Sequence, residues 1–249
     1  MQLGYSDRKN KPRKSGLNLA IDGGLPTGLF ADYISSFSSM IDGVKFGWGS
    51  GVATPQIDQK TAILQEAGIP YWFGGTAFEI AYKSDKLDEF LAWAKSKGAS
   101  RFEVSDGVIE LPADIRRKLI QDISKDFEVY TEVGSKDANV ILSPSVWVDM
   151  IKADLDAGAV KVIMEGRESG AAGMYRKDGE VRTGLIDDIA LSGIDIEQLI
   201  FEAPVKAQQV WFVKRFGRHC NMANLPFDAI LNVETLRRGL RADTFGGGV

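Results

Sequence analysis

Four glutamates recur at the ends of apolar runs, and their spacing constrains the fold more than any other feature of the chain. They stand in Arg101-Phe-Glu-Val-Ser-Asp-Gly107, Val129-Tyr-Thr-Glu-Val-Gly134, Val162-Ile-Met-Glu-Gly166 and Leu199-Ile-Phe-Glu-Ala-Pro204. Glu103, Glu132, Glu165 and Glu202 are 29, 33 and 37 residues apart, the length of one strand plus its return helix. A carboxylate at the same end of each strand describes the rim of an active site, and several such carboxylates together suggest metal chemistry.

The same period extends through the chain. Short β-type runs ending in Gly, Pro or a charge recur near 17–22, 43–48, 70–74, 101–105, 128–133, 160–164, 198–202 and 220–224. Helical patterns lie between them at 55–67, 84–97, 112–125, 145–157, 187–191 with 195–198, and 207–216, and 233–241 closes the chain. In 84–97, Leu87, Phe90, Leu91 and Ala94 mark an apolar face opposite Lys86, Asp88, Glu89, Lys95 and Lys97. Gly68, Gly98 and Gly158 fall where helices end before the next strand. Strict alternation predicts a parallel sheet, and eight units predict closure as a single (β/α)8 TIM barrel. No Gly-x-Gly-x-x-Gly follows the first strand and no Walker sequence occurs, which counts against nucleotide folds.

Composition bounds the rest. At 249 residues and 44% hydrophobic content, one domain with one large core is expected, with 1–14 and 246–249 as loose ends. Thirty basic against 34 acidic residues give a net charge of −4, so neither nucleic acid nor an anionic membrane is an expected partner. Cys220 is the sole cysteine, which excludes an internal disulfide and fits a reducing compartment, the cytoplasm. Apolar runs last four to eight residues, far short of the ~20 needed to span a bilayer.

Catalytic groups of such a barrel project from the C-terminal strand ends. Asp22 ends the first run, and Lys45 enters the second, where an ammonium needs a carboxylate partner or a ligand anion. Asp106 lies three residues after Glu103, as a second rim carboxylate or as a turn residue. Lys136 follows Glu132 at the mouth as an acid, a base, an anion anchor or a surface lysine. In Glu165-Gly-Arg-Glu-Ser-Gly170 the Arg167 fork suits an anion, or an ion pair with Glu165 or Glu168. Arg237, Arg238 and Arg241 fall where such barrels often bind phosphate, or else form a solvated basic face. His219, the only histidine, precedes the last strand on the side away from the mouth, so the chemistry rests on Lys, Glu, Asp or Tyr. An all-oxygen ligand set prefers Mg²⁺ or Mn²⁺ to zinc.

Taken together, Val44-Lys-Phe-Gly-Trp-Gly49, Gly74-Gly-Thr76, Phe78-Glu79, Glu103-Val-Ser-Asp-Gly107, Thr131-Glu-Val-Gly134, Glu165-Gly-Arg-Glu-Ser-Gly170, Phe201-Glu-Ala-Pro204 and Leu236-Arg-Arg-Gly-Leu-Arg241 resemble the phosphosulfolactate synthase family from about Leu19 to Phe245. The resemblance implies a Mg²⁺-dependent barrel that adds sulfite to phosphoenolpyruvate, giving (2R)-phospho-3-sulfolactate on the way to coenzyme M or another sulfonate. It implies Lys136 as the acid, at a near-neutral pKa, that protonates a metal-stabilised enolate. Lys45 and Arg167 would hold anions, with Arg237 and Arg241 as further substrate contacts. Glu103, Glu132, Glu165 and Glu202, with Asp106 behind them, would share the metal. It further implies a homo-oligomer, possibly a trimer. The stretch 137–142 looks shorter than the family loop. Two other readings fit the residues: another Mg²⁺ enzyme working through an enolate, and a non-catalytic stress or scaffold protein that keeps the barrel.

Overall fold

A computed structural model describes residue 3 and residues 8–137, 139–167 and 169–245. Eight parallel strands, β1 (Asn18–Asp22), β2 (Gly43–Phe46), β3 (Tyr71–Phe73), β4 (Arg101–Val104), β5 (Glu128–Val133), β6 (Lys161–Met164), β7 (Leu199–Glu202) and β8 (Asn221–Leu225), form a nearly closed barrel. Around it run α1 (Thr27–Phe37), α2 (Ser50–Ala53), α3 (Ile57–Glu66), α4 (Gly75–Lys83) and α5 (Leu87–Ser96). The second half adds α6 (Ala113–Ile123), α7 (Pro144–Ala157), α8 (Thr183–Leu191), α9 (Lys206–Phe216) and α10 (Ile230–Arg237). None of these helices is long and apolar enough to cross a membrane. Each expected strand is present. Helices α1 and α4 were not expected: Gly28, Ser35 and Ser36 interrupt one sequence, and two glycines precede the other.

Strand residues alternate between two surfaces, and this period of two builds two separate apolar layers. Val44, Phe46, Phe73, Phe102, Val104, Val129, Val133, Met164 and Phe201 face outward into the layer shared with the helices. Leu19, Trp72, Tyr130, Ile163, Ile200 and Ala223 face inward and plug the barrel. Continuing the inward parity by two residues toward the C-terminal ends places Glu132 above Tyr130, Glu165 above Ile163 and Glu202 above Ile200. The register aligns Glu132 with Ile163 and Glu202 with Ala223, so these side chains share one end of the barrel.

Backbone ladders join seven neighbouring strand pairs among the described residues; between β3 and β4 there is none. Glu103 bridges that seam. Its Oε2 accepts from Trp72 Nε1 at 2.8 Å and its Oε1 from the Gly75 amide at 2.7 Å. A Cβ at residue 75 would lie 2.9 Å from that same Oε1 and against Ser105, so only glycine brings its amide this close.

The N-terminal end of the barrel is sealed by charge. Arg8 and Arg13 reach Asp42 at 3.3 and 2.9 Å, and Lys11 donates to the carbonyls of Ser38 and Ile41. Residues 8–13 are therefore fastened to the barrel, where composition alone suggested a loose end; residues 246–249 lie outside the described residues.

Candidate active site

A cavity of about 250 Å³ opens at the C-terminal end of the strands. Its walls carry Lys45, Glu103, Glu132, Lys136, Glu165, Arg167 and Glu202, each from a different strand end or following loop apart from the pairs on the β5 and β6 segments. Lys45 is 5% exposed. Its ammonium lies 3.1 Å from Glu202, 3.5 Å from Glu103 and 3.9 Å from Glu132. Burial alone would favour the neutral amine, but Glu103, Glu202 and Glu132 outweigh it and raise the pKa above the usual lysine value.

Lys136 stands across the cavity, 2.9 Å from Glu79 and 3.0 Å from Glu132. Burial again opposes the charge, while Glu132, Glu165 and Glu79 raise the pKa well above that of a free lysine. This corrects the expectation of a near-neutral lysine: so many carboxylates around one ammonium make it a fully protonated donor.

Three of the five proposed metal ligands converge. Glu132, Glu165 and Glu202, all buried, each offer an oxygen, and these oxygens lie within 4.8 Å of one another. Glu165 Oε1 accepts from the Arg167 amide at 2.7 Å, but its buried Oε2 has no hydrogen-bond partner. Glu132 Oε1 touches Lys136 as an ion pair without hydrogen-bond alignment. Burial, then Glu132 and Glu202, push the Glu165 pKa well above the carboxylate range. Burial works in the same direction on Glu132, but Lys136 and Lys45 overcome it and hold that carboxyl down to about 2. Two carboxylates this close need a shared proton or a cation between them. The donor set fits a hard divalent ion such as Mg²⁺, which takes oxygen ligands and keeps several waters.

The other two acids are engaged elsewhere. Glu103 lines the wall, yet both its oxygens are used by Trp72 and Gly75, so its bonds close the barrel seam. Asp106 turns away to Arg116 at 2.9 Å, and Arg116 also pairs with Asp154 at 2.6 Å. This is the turn-and-brace alternative for Asp106, outside the cavity. Asp22 likewise pairs with buried Lys60 at 2.5 Å and accepts from the Gly24 and Leu25 amides, bracing the loop after β1.

Arg167 sits at the rim in a left-handed conformation (φ 57°). Its Nη1 donates to the Lys136 carbonyl at 3.0 Å, which ties the loops after β5 and β6 together and leaves the guanidinium facing the mouth. Glu168 lies outside the described residues. Arg237, expected at a phosphate, is at the opposite end of the barrel. It is wholly buried and donates to Asn18 Oδ1 and to the carbonyls of Leu17, Arg218 and Cys220. The chain length of α10 explains this, because the helix starts at the mouth and its last residue reaches the floor. Arg241 lies beyond α10 and donates to Asn232 on the outer side of that helix at 2.9 Å, outside the cavity lining. His219 is also at the floor, where its carbonyl accepts from Gly16.

Residues that sequence reasoning left without a role stand in the walls or just behind them. Asn224, at the end of β8, is 5% exposed with φ 53° and an unpartnered Oδ1. Trp48 lies on the rim with φ 38°. Glu79 approaches Lys136 from α4. The Phe78-Glu79 words marked this last position, but without α4 they gave no direction.

The family model described as (2R)-phospho-3-sulfolactate synthase (ComA) matches residues 6–243, almost the whole chain. This chain belongs to the phosphosulfolactate synthase family. The phosphosulfolactate synthase of Bacillus subtilis (strain 168) is 43% identical over 240 residues, covering 96% of this chain and 95% of its own. That of Methanocaldococcus jannaschii is 42% identical over 237 residues, covering 93% and 94%. Among solved structures, a 3-hexulose-6-phosphate synthase superposes with a TM-score of 0.56 at 14% identity, over 88% of this chain and 99% of its own. At that identity the likeness speaks to the barrel alone. Family and curated relatives together make the chain an enzyme, with its charged groups gathered where barrel enzymes keep theirs.

Proposed function

We propose that the chain adds sulfite to phosphoenolpyruvate with Mg²⁺, forming (2R)-phospho-3-sulfolactate. The observation that carries this reading is the buried trio Glu132, Glu165 and Glu202, short of one cation, between two ammonium groups. A bound Mg²⁺ supplies Lewis acidity toward the substrate carboxylate and the negative charge that gathers there during addition. The trio would hold it.

The protein's own groups account for the rest. Lys45 and Arg167 both line the cavity, and their cationic groups are the ones that would meet a substrate carrying both a carboxylate and a phosphate. Sulfur uses its lone pair to form a bond to C3, the C2–C3 π electrons pass toward C2 and the carboxylate, and a proton then arrives at C2. Nothing leaves, so the phosphate ester survives and the only further requirement is that proton. Lys136 provides it from Nζ. Although its pKa lies above neutral, the carbon at C2 is then a far stronger base than an amine, so transfer is downhill and the donor is fully loaded at neutral pH. The plug of Leu19, Trp72, Tyr130, Ile163 and Ile200 beneath the carboxylates keeps water from reaching the site from below.

The test is phosphoenolpyruvate consumption followed by ³¹P NMR, with and without sulfite, in Mg²⁺ and in EDTA. A new phosphate monoester that needs both sulfite and metal is the expected result. Consumption without sulfite would replace the proposal with another enolate reaction, and product formation in EDTA would remove the metal from it.

A further inference from the structure

We infer that Glu79 is the positioning residue for Lys136, the group that keeps this ammonium at the mouth once a cation engages Glu132. The inference rests on the reading above. Glu79 lies one turn into α4, is 1% exposed, and is not among the three converging carboxylates. All its accepting capacity points at the loops around the cavity. Oε1 accepts from Ser105 Oγ and from Lys136 Nζ at 2.9 Å, while Oε2 accepts from the amides of Val108 and Ile109 at 2.8 and 3.2 Å. One carboxylate thus joins α4, the loop after β4 and the loop after β5.

Lys136 has two close anionic partners, and they differ in kind. Glu132 belongs to the cation set, so an ion bound there would compete with the ammonium for the same carboxylate. Glu79 stands outside that set, so its contact with the lysine does not depend on whether an ion is bound. The stem of Lys136 is held as well. A Cβ on Gly107 would lie 2.8 Å from Lys136 Cγ and Cδ, so the side chain crosses bare backbone in the loop that Glu79 fastens. Glu79 therefore fixes both the head of the lysine and the surface on which its stem lies, which is the precision that proton delivery to one carbon requires.

The test is a double-mutant cycle with Glu79→Gln and Lys136→Ala, with Glu79→Asp as the conservative variant. Gln preserves shape but turns one accepting oxygen into a donor, so it cannot receive all four bonds. Expected for Glu79→Gln is a fall in kcat of about 100-fold, with KM for phosphoenolpyruvate and the Mg²⁺ activation constant little changed and partial recovery in Glu79→Asp. In the Lys136→Ala background Glu79→Gln should change residual turnover no further. Losses that multiply instead would mean that Glu79 acts independently of the lysine and would overturn the inference. A readout independent of turnover is the crystal structure of Glu79→Gln with Mg²⁺: Lys136 swung away from residue 79 supports the inference, and Lys136 unmoved defeats it. If the wild type makes no product from sulfite, the proposed reaction falls while this structural arm still decides the role of Glu79. Should Glu79→Gln not fold, Glu79→Asp carries the same cycle and the same crystal comparison, with a smaller expected displacement.

Discussion

The two ends of this barrel both bury charge, and they treat it in opposite ways. At the mouth, Lys45 and Lys136 face Glu79, Glu103, Glu132, Glu165 and Glu202, so anions outnumber cations and oxygens of Glu132 and Glu165 lack aligned hydrogen bonds. At the floor, Arg237 spends its guanidinium on Asn18 and three carbonyls from the starts of β1 and β8, and Arg8 and Arg13 meet Asp42. The floor uses charge to join strands: every nitrogen of the Arg237 guanidinium is hydrogen-bonded, and Arg8 Nε faces Glu234 as an ion pair at 3.3 Å. The mouth leaves part of its buried charge unmet, at a desolvation cost to the folded protein. A buried ionic cluster is thus read by what it leaves unmet rather than by its size.

The strongest way to break the comparison is Lys136→Ala. Steady-state kinetics should show turnover falling about 1,000-fold, or about 4 kcal/mol, whereas urea unfolding should show a folded protein with a smaller loss of stability. Wild-type turnover would remove this lysine from the chemistry. Next, Arg237→Ala should show the reverse pattern. Taking the donor from Asn18 and the Cys220 and Arg218 carbonyls and opening a gap at the floor should cost about 3 kcal/mol in urea unfolding, with activity per folded molecule preserved. A selective loss of phosphoenolpyruvate affinity would instead restore its expected substrate role.

Glu165 gives the pH prediction. Its folded pKa is raised by burial and by Glu132 and Glu202, so above the unfolded carboxyl pKa the native state binds the extra proton and stability falls as pH rises. Glu132 contributes with the opposite sign: its depressed pKa gives stability present above the unfolded value and lost as pH falls toward about 2. Without metal, Glu165→Gln should therefore flatten the decline in stability from pH 5 to 8, by at most about 1.4 kcal/mol per pH unit. The same variant should lose the rise in Tm expected of the wild type on adding Mg²⁺. An unchanged metal response would exclude Glu165 as a ligand. The smallest effect is expected for Arg241→Ala, whose partners are Asn232 and a 3.9 Å contact with Asp243. Both stability and kcat/KM should stay within about 0.5 kcal/mol of wild type, and a large rise in KM would contradict its placement outside the cavity.

How much of this was readable beforehand depended on whether the signal was local. The eight strands were legible because each is a short apolar run closed by Gly, Pro or a charge, and Glu132, Glu165 and Glu202 because they end such runs. Helix α4 was not legible, since its opening glycines argue against a helix until Glu103 and the cavity wall require a close backbone, and Glu79 was obscured with it. Arg237 misled for a related reason: sequence places it after the last strand, near the mouth, but α10 carries it the height of the barrel to the other end.

By itself, then, the sequence determined the repeating unit, the parallel barrel and which end of it carries carboxylates. Period-two alternation and strand length are properties of neighbouring residues, and a strand that ends in a charge has few ways to bury the rest. Only the tertiary structure decided which carboxylates meet, which are spent on Trp72, Gly75 or Arg116, and that Lys136 remains an ammonium between Glu79 and Glu132. Those outcomes turn on ångström-scale distances between residues dozens of positions apart, and electrostatic energies at that range are set by closure of the barrel rather than by any segment of the chain.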